Sequence, residues 1–419
     1  MGNDKANEKR FLAFDLGSDM IRAAVAEIND QSELEIESIK ETKALGIHHG
    51  VIVNLTEVQK SISNIVRDLK TDVDELPQTV FVGISGKDLK FVHASGCYTL
   101  PEDRNNITQG DVDKSHESAR SSIQFEYGRY VIHTIIEEYI INSTPKIRNP
   151  LNLPGNRIET KMLLLSSSEE MRESYSLALE SCGIKVDREN FCYSTLCASE
   201  LLLTEDQKKN GAIVIDIGNE SSNMIAYQGG RIIFAGEVPF GSANVSQDLQ
   251  YILQRSREEA DRIKSECCTA YLPLADPDNL IIMPGTGTVE TIKMPETEVS
   301  QIISARYAEI LIMLKEKLSN ASKFLAFANG IYLMGGAAHQ KGLAELASDI
   351  FSLPVHLGCS ENIKGLAHEC AGPKYVNVIS LLKYNLNDRL MNKDSEQDSS
   401  DVESGKGMSK MKRLFRKFF

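Results

Sequence analysis

Residues 211–227 read GAIVIDIGNESSNMIAY, and they repeat a pattern met at the start of the chain, where residues 10–25 read RFLAFDLGSDMIRAAV. Set against one another, Asp15 matches Asp216 and Gly17 matches Gly218. In both stretches an apolar strand-like run precedes the Asp, and a polar loop and a second strand follow it. Chance can place two DxG strands in one chain, but the shared context argues for an internal duplication. Each half then supplies one strand–loop–strand hairpin. A Gly at the tip of such a turn lets backbone N–H groups approach a phosphate closely. Two loops that face each other can hold a polyphosphate from both sides, and the carboxylates of Asp15 and Asp216 can hold Mg²⁺ through its waters. A third piece lies at 329–346, NGIYLMGGAAHQKGLAEL, a strand, a Gly-Gly pair and a helix. Gly335 and Gly336 offer bare backbone on which a flat ring can stack. One DxG alone is weak; three pieces in this order are strong.

Between these pieces the texture changes twice. After the first hairpin, Thr56 and Gln59 form a capping box, and Val58, Ile62, Ile65, Val66 and Leu69 give the inner stripe of a helix. TVFVGISG (79–86) is a buried strand. From Ser85 to about Glu159 the chain is polar and turn-rich, with YVIHTIIEEYIIN (130–142) as its main strand, which predicts a small inserted α+β subdomain. TKMLLLSSS (160–168) returns to the buried-strand style, and a helix over 168–181 ends at Cys182 with Gly183 as its cap. The second change covers about 241–300, where REEADRIKSE (257–266) is a helix and LIIM (280–283) with VETIKM (289–294) a hairpin. A long helix over about 297–318 leads to the Gly-Gly piece. After KYVNVISLLKY (374–384), the Ser/Asp/Glu stretch NKDSEQDSSDVESGKG (392–407) has nothing to bury and is expected to be disordered.

The chain has 419 residues, enough for several domains, and a net charge of −13. Its end departs from that balance: SKMKRLFRKFF (409–419) holds five Lys or Arg, three Phe and no acid. Everything before these five cations carries −18, so the body repels nucleic acid and anionic lipid, and membrane contact must be local to the tail. At about 100° per residue, Met411, Leu414, Phe415, Phe418 and Phe419 fall within an arc of roughly 140°. Lys410, Lys412, Arg413, Arg416 and Lys417 fill the rest. Such a stripe suits a helix lying flat in an anionic lipid surface; a solvated basic tail, or a helix packed back on its own protein, are the alternatives. The eight cysteines form no CxxC pair, which points to reduced thiols in a cytosol. The charged opening MGNDKANEKR predicts no signal peptide, and Ala6 stands where a myristoylation signal wants Ser or Thr. No window of about 18 apolar residues is present, so no membrane span is expected.

The constellation of two phosphate loops and a Gly-Gly strand end is the signature of the actin/Hsp70/sugar-kinase superfamily. Within it, GISGKDL, GIKVD, VIDIG, EEADRIK, ARYAEIL and IYLMGGAAHQKGL, with the linker and amphipathic end, resemble the FtsA family of bacterial cell-division proteins over about 10–385 and again in the tail. The resemblance implies an α/β, actin-like fold of two duplicated ribonuclease-H-like halves with an FtsA-type inserted subdomain. The expected division is 8–84 and 163–196 (subdomain 1A), 85–162 (1C), 197–240 and 301–387 (2A), 241–300 (2B), a disordered linker over 388–407 and an amphipathic membrane-targeting helix over 408–419.

The resemblance also implies ATP with Mg²⁺, contacted by Asp15, Gly17 and Ser18 in the first loop, Asp216, Gly218, Asn219 and Ser221 in the second, and Gly335 and Gly336 in the third piece. Lys264 matches a nucleotide-contacting Lys of the superfamily, with a solvated helix Lys as the alternative. Arg306 lies where the family binds the FtsZ C-terminal tail, with a structural ion pair as the competing role. The implied role is a scaffold that self-associates into protofilaments, tethers FtsZ to anionic lipids on the cytoplasmic face of the inner membrane at the septum, and helps recruit later division proteins. A pilus-assembly-type scaffold and a chaperone-like or sugar-kinase ATPase of the same superfamily are the alternatives. The second loop departs from the family's DxGGGT: Asn219 and Glu220 stand at Gly positions and Asn223 replaces an acid. Glu220 is expected to strain a left-handed position by roughly 1–2 kcal/mol and to face the polyphosphate. Met20 stands where relatives often have Lys. These changes predict binding with weak or absent hydrolysis, and no catalytic base. His48 and His49 are expected to be loop residues only.

Overall fold

The computed structural model of the chain describes residues 9–29, 31–86, 88–285, 290–321 and 326–385. The linker expected over 388–407 and the helix expected over 408–419 lie outside them.

Two five-stranded sheets carry the two copies of the repeat. In the first, β1 (Arg10–Leu16), β2 (Met20–Ile28) and β3 (Leu34–Lys43) form an antiparallel meander, and β6 (Thr79–Ile84) and β11 (Phe191–Tyr193) add in parallel beyond β1. In the second, β12 (Ala212–Ile217), β13 (Ser222–Gln228) and β14 (Arg231–Val238) repeat the meander, and β17 (Ile331–Met334) and β18 (Val355–Leu357) add in parallel beyond β12. The order and direction of the strands are the same in both, so the duplication inferred from two DxG strands extends to whole sheets. β1 and β12 read as unbroken apolar runs because each is covered on both faces.

The helix Leu55–Leu69 lays Val58, Ile62, Ile65, Val66 and Leu69 on one face of the first sheet, as its periodicity predicts. Its cap differs: Asn54, not the Thr56–Gln59 pair, accepts the Glu57 N–H at 3.3 Å. The opposite face of that sheet, Phe11, Ala13, Ala24 and Phe81, is covered by Val378, Ile379, Leu381 and Leu382 of a helix over 376–385. That segment, expected with the second half, therefore returns to the first. A second core fills the other half, around the helix Ser242–Leu253 and the long helix Glu296–Ala321. A hairpin of β15 (Leu280–Met283) and β16 (Ile292–Pro295) lies beside them.

The inserted region is α+β, as expected. β7 (Lys90–Thr99), β8 (Arg129–Ile141), β9 (Thr144–Ile147) and β10 (Arg157–Ser168) form one antiparallel sheet in the order β7-β10-β8-β9, with the helix Gln109–Ser121 on one face. The boundary expected at 162 falls inside β10, which stays paired with β8 to Ser168. The reason lies in its alternation: Met162 and Leu164 enter the insert's core, whereas Leu163 and Leu165 enter the core of the first half. A strand shared by two cores reads as wholly buried. The helix Glu169–Glu180 follows, with Ser168 as its cap and Gly183 just beyond it at φ +78°. Among the described residues, no helix is long and apolar enough to cross a membrane.

Candidate functional site

The two hairpins bring Asp15 of the first half and Asp216 of the second close enough for their charges to interact. Both are nearly fully buried. Burial pushes Asp15 up to about 6; Arg22 opposes this and Asp216 adds to it. Burial also raises Asp216, offset by Asn377, whose Nδ2 donates to Oδ2 at 3.1 Å, and by Arg22. One arginine thus acts on both carboxylates, and the carboxylates act on each other.

Arg22 is the site residue that the sequence reading passed over. It stands opposite Asp15 in the β1–β2 register, its Nε donates to Glu41 at 3.1 Å, and its guanidinium lies 5.6 Å from the centre of the Tyr375 ring. Met20 leaves the first loop without the Lys that relatives often have, and Arg22 is a cation that acts on both carboxylates from the strand beyond that loop. A signal was present: Arg22 is the one cation in the otherwise apolar opening of β2, MIRAAVAEI. The loop it faces is Gly17–Asp19, with Ser18 at its tip; a Cβ on Gly17 would come within 2.8 Å of the Met20 carbonyl oxygen.

The second loop is a four-residue turn closed by the Gly218 N–H donating to the Ser221 oxygen at 3.0 Å. Neither Asn219 nor Glu220 has positive φ, so the strain expected at Glu220 is absent. A turn without positive φ accepts either residue. Nor does the Glu220 carboxylate turn back over its own loop. It crosses to the first half, where His49 N–H donates to Oε2 at 2.6 Å and His48 Nδ1 donates to Oε1 at 2.9 Å. The two histidines are therefore partners of the site rather than plain loop residues.

The helix Ser242–Leu253 starts over this turn, and its Ser242 and Ala243 N–H groups donate to the carbonyls of Gly218 and Asn219 at 3.0 and 2.7 Å. Lys264 is neither solvated nor free to swing: Nζ donates to Ser246 Oγ at 2.7 Å, Asp261 at 3.1 Å and the Ser242 carbonyl at 3.3 Å. It braces the helix start that braces the loop.

Gly335 is fixed by geometry. Its φ is +92°, and a Cβ there would fall 2.3 Å from Asp216 Oδ1. Nothing stands within 4 Å of a Cβ on Gly336, so that backbone face is open. The Gly-Gly pair is followed by a 3₁₀ turn, Gly336–His339, before the expected helix begins at Leu343. Around it, Lys374 lies 4.6 Å from the Tyr375 ring centre and bonds Glu41 at 2.9 Å. Two buried polar atoms beside the carboxylates, Ser194 Oγ and Asn377 Oδ1, lack a hydrogen-bond partner within the protein. Both Ser194 Oγ and Asp15 Oδ1 lie within 4 Å of a Cβ placed on Gly83. A paired carboxylate floor, a cation and unpaired polar atoms fit a hydrated divalent ion with a polyphosphate; Gly336 fits the face of a ring. Among the described residues no three His, Cys, Asp or Glu gather to ligate a metal directly.

Arg306, on the long helix, is forked on Asp248 of the helix Ser242–Leu253, at 2.6 and 3.0 Å, and also bonds Glu309 at 2.5 Å. The ion-pair role foreseen as its alternative is the one observed. Tyr251 and Ile252 lie exposed on the helix that carries Asp248, and Leu280 and Ile282 on the neighbouring β15.

The family model for cell division protein FtsA matches residues 213–380, and the model for the SHS2 domain inserted in FTSA matches residues 86–166. The chain is 26% identical over 423 residues to cell division protein FtsA of Escherichia coli K12, with 99% of this chain and all of that one covered. It is 26% identical over 407 residues to that of Borreliella burgdorferi, covering 97% and 98%. Among solved structures, a PilM–PilN type IV pilus biogenesis complex superposes with a TM-score of 0.66 at 12% identity, over 90% of this chain and 98% of that one. MreB5 of Spiroplasma citri bound to ADP superposes with a TM-score of 0.52 at 14% identity, over 93% and 99%. The architecture is therefore an actin-like one.

Proposed function

The chain belongs to the FtsA family of cell-division proteins, and we propose that within division it is a nucleotide-binding scaffold rather than a working ATPase. The observation that carries this reading is the convergence of Asp15, Asp216 and Arg22 between two copies of one hairpin, with Gly336 bare beside them. The likeness to MreB5, a protein bound to ADP, supports nucleotide as the ligand. Arg22 offsets phosphate charge, Asp15 and Asp216 orient the waters of a Mg²⁺ ion, and the Gly335–Gly336 backbone receives the base. Asp15 and Asp216 would hold such an ion through its waters, and it would supply positive charge against the phosphate oxygens. Gly17, Ser18, Asn219 and Ser221 bring backbone and hydroxyl groups to the phosphates, while Gly218, whose N–H donates to the Ser221 oxygen, shapes the turn that presents them. Lys264 acts through the helix start rather than on the ligand. Asn223 stands where the family's second loop carries an acid, which supports slow or absent turnover.

The scaffold reading takes in the rest of the molecule. Exposed Tyr251 and Ile252, one helical turn beyond Asp248 of the Arg306–Asp248 pair, suit an acidic and apolar peptide, for which the FtsZ tail is the candidate. The cationic, Phe-rich end at 408–419 suits the anionic inner face of the membrane at the septum. Self-association and contacts with later division proteins complete the proposal.

Calorimetric titration of the full chain with Mg-ATP tests the central claim. Arg22→Ala is expected to weaken binding by about tenfold, the loss of one charge-assisted contact. Turnover on the order of 1–100 s⁻¹, as kinases achieve, would overturn the scaffold reading.

A further inference from the structure

Glu220 joins the tips of two hairpins that belong to different halves of the molecule. On its own side it sits at the centre of the turn between β12 and β13, and that turn is fastened by the first N–H groups of the helix Ser242–Leu253. On the other side lies the small hairpin β4 (Ile47–His48) and β5 (Val51–Ile52), whose two-residue loop is His49–Gly50. Both loop residues have positive φ, +49° and +74°, the arrangement of a type I′ turn. A histidine in a left-handed position persists only where its surroundings over-determine it, and here its N–H is aimed at a carboxylate from another part of the fold. Glu220 is largely shielded from solvent, with its side chain 16% exposed.

The turn that receives this carboxylate is wedged against the root of the insert. A Cβ on Gly50 would fall 2.3 Å from the Ser85 oxygen, and one on Gly86 would fall 2.6 Å from the His49 oxygen. Tyr175, on the helix that leaves the insert, donates its hydroxyl to the Gly50 carbonyl at 2.8 Å. Gly86 itself has φ +108° and stands where the insert begins. The chain of contact therefore runs from the second loop, through Glu220, into His49–Gly50, and on to both ends of the inserted subdomain.

We propose that Glu220 is a latch. Its carboxylate closes the two halves on one another, and the same bond holds the His49–Gly50 turn against Ser85–Gly86, so the closed cleft stiffens the insert at its root. A phosphate bound between the halves must share the space that this carboxylate spans, and it does so as a like charge. Occupancy of the cleft then weakens the latch and loosens the insert, which links the site to a surface well away from it. The geometry carries this link whether or not nucleotide is the ligand, so its test uses the protein alone.

Hydrogen–deuterium exchange of the full chain reads the latch directly. Glu220→Gly is expected to speed exchange of the amides in 47–52 and 84–90 by about tenfold, the effect of losing charge-assisted bonds. The segments 212–217 and 331–334 should exchange as before, which shows that the second half remains folded. His48→Ala, which removes one arm only, should give a smaller effect in the same two segments. The idea fails if 47–52 and 84–90 exchange at the parental rate in both variants. It also fails if 47–52 loosens while 84–90 does not change, for the carboxylate would then hold a loop and transmit nothing. Loss of Mg-ATP binding by the parental chain would sink the proposed function and leave the exchange result standing.

Discussion

Arg306 and Asp248 lock two helices of the second half together through a fork in which Nε and Nη2 of the guanidinium donate to the two carboxylate oxygens at 2.6 and 3.0 Å. A docking peptide's acid must compete with Asp248 for the same donors. Reversing the charge, as in Arg306→Glu, would set a new acid against Asp248 and confuse docking with folding. Asp248→Asn separates them: it keeps the shape, frees the arginine's charge, and is expected to tighten an FtsZ-tail peptide several-fold. Arg306→Ala should weaken the peptide by about tenfold while changing stability by only about 1 kcal/mol, since the pair is partly solvated. Fluorescence anisotropy of the peptide with a thermal melt of each variant distinguishes these effects. Equal affinities in all three proteins would remove Arg306 from the docking surface.

Asp15 predicts a pH dependence with a definite sign. Burial lifts its carboxyl to about 6, above its ordinary value of 3.8, so between these values the folded protein holds a proton that the unfolded chain releases. Stability from this group is therefore fully present below about pH 4 and is lost as pH rises through about 6. Asp15→Asn removes the buried charge and should stabilise the protein by about 3 kcal/mol at pH 8, with little change at pH 4. The same variant should lose Mg²⁺-dependent nucleotide binding. Melting temperatures of parent and variant from pH 4 to 8 check the first claim; parallel curves would show that Asp15 ionises as freely in the fold as outside it.

What could be read in the sequence was whatever lies along one element. The paired DxG hairpins, the stripe Val58–Leu69, the inserted α+β region and the Gly-Gly strand end all follow from local period and turn chemistry. What escaped depends on partners far away in the chain. In sequence Glu220 belongs only to the loop it sits in, whereas its carboxylate is held by residues about 170 positions earlier. Arg22 is a cross-strand neighbour of Asp15, visible only once the hairpin register is known. The helix over 376–385 follows the second half in sequence yet packs on the first, because Phe11, Ala13 and Phe81 present an apolar face there. β10 blurs the insert's border because its two sides belong to two cores.

Gly335 and Gly336 are adjacent but should respond differently to the same change. Alanine at 335 must adopt φ +92° with its methyl 2.3 Å from Asp216 Oδ1, which should cost more than about 2 kcal/mol and displace the carboxylate. Alanine at 336 meets nothing within 4 Å and should fold as the parent does. If a base stacks on that backbone, Gly336→Val will still weaken ATP binding, while triphosphate alone will bind as before. Melts and competition titrations decide between these outcomes, and a Gly336→Val protein with parental ATP affinity would move the base elsewhere.

The last prediction concerns residues 408–419, which rest on sequence alone. On an anionic surface, burying the stripe of Met411, Leu414, Phe415, Phe418 and Phe419 gains on the order of 1.5 kcal/mol for each side chain. Each of the five cations adds about 1 kcal/mol near such lipid, and ordering the segment as a helix costs about 1 kcal/mol per residue. The terms nearly cancel, and the −18 body is repelled at long range. One tail should therefore bind weakly, and firm attachment should require many tails aligned along a filament. Two substitution pairs separate the terms in vesicle flotation. Phe415→Glu with Phe418→Glu should release the protein at every salt concentration, since the apolar gain is gone. Lys412→Ala with Arg416→Ala should weaken binding chiefly at raised salt and on vesicles diluted with neutral lipid. If the double Phe variant still floats with vesicles as the parent does, the stripe does not enter lipid, and a protein partner must be what it buries against.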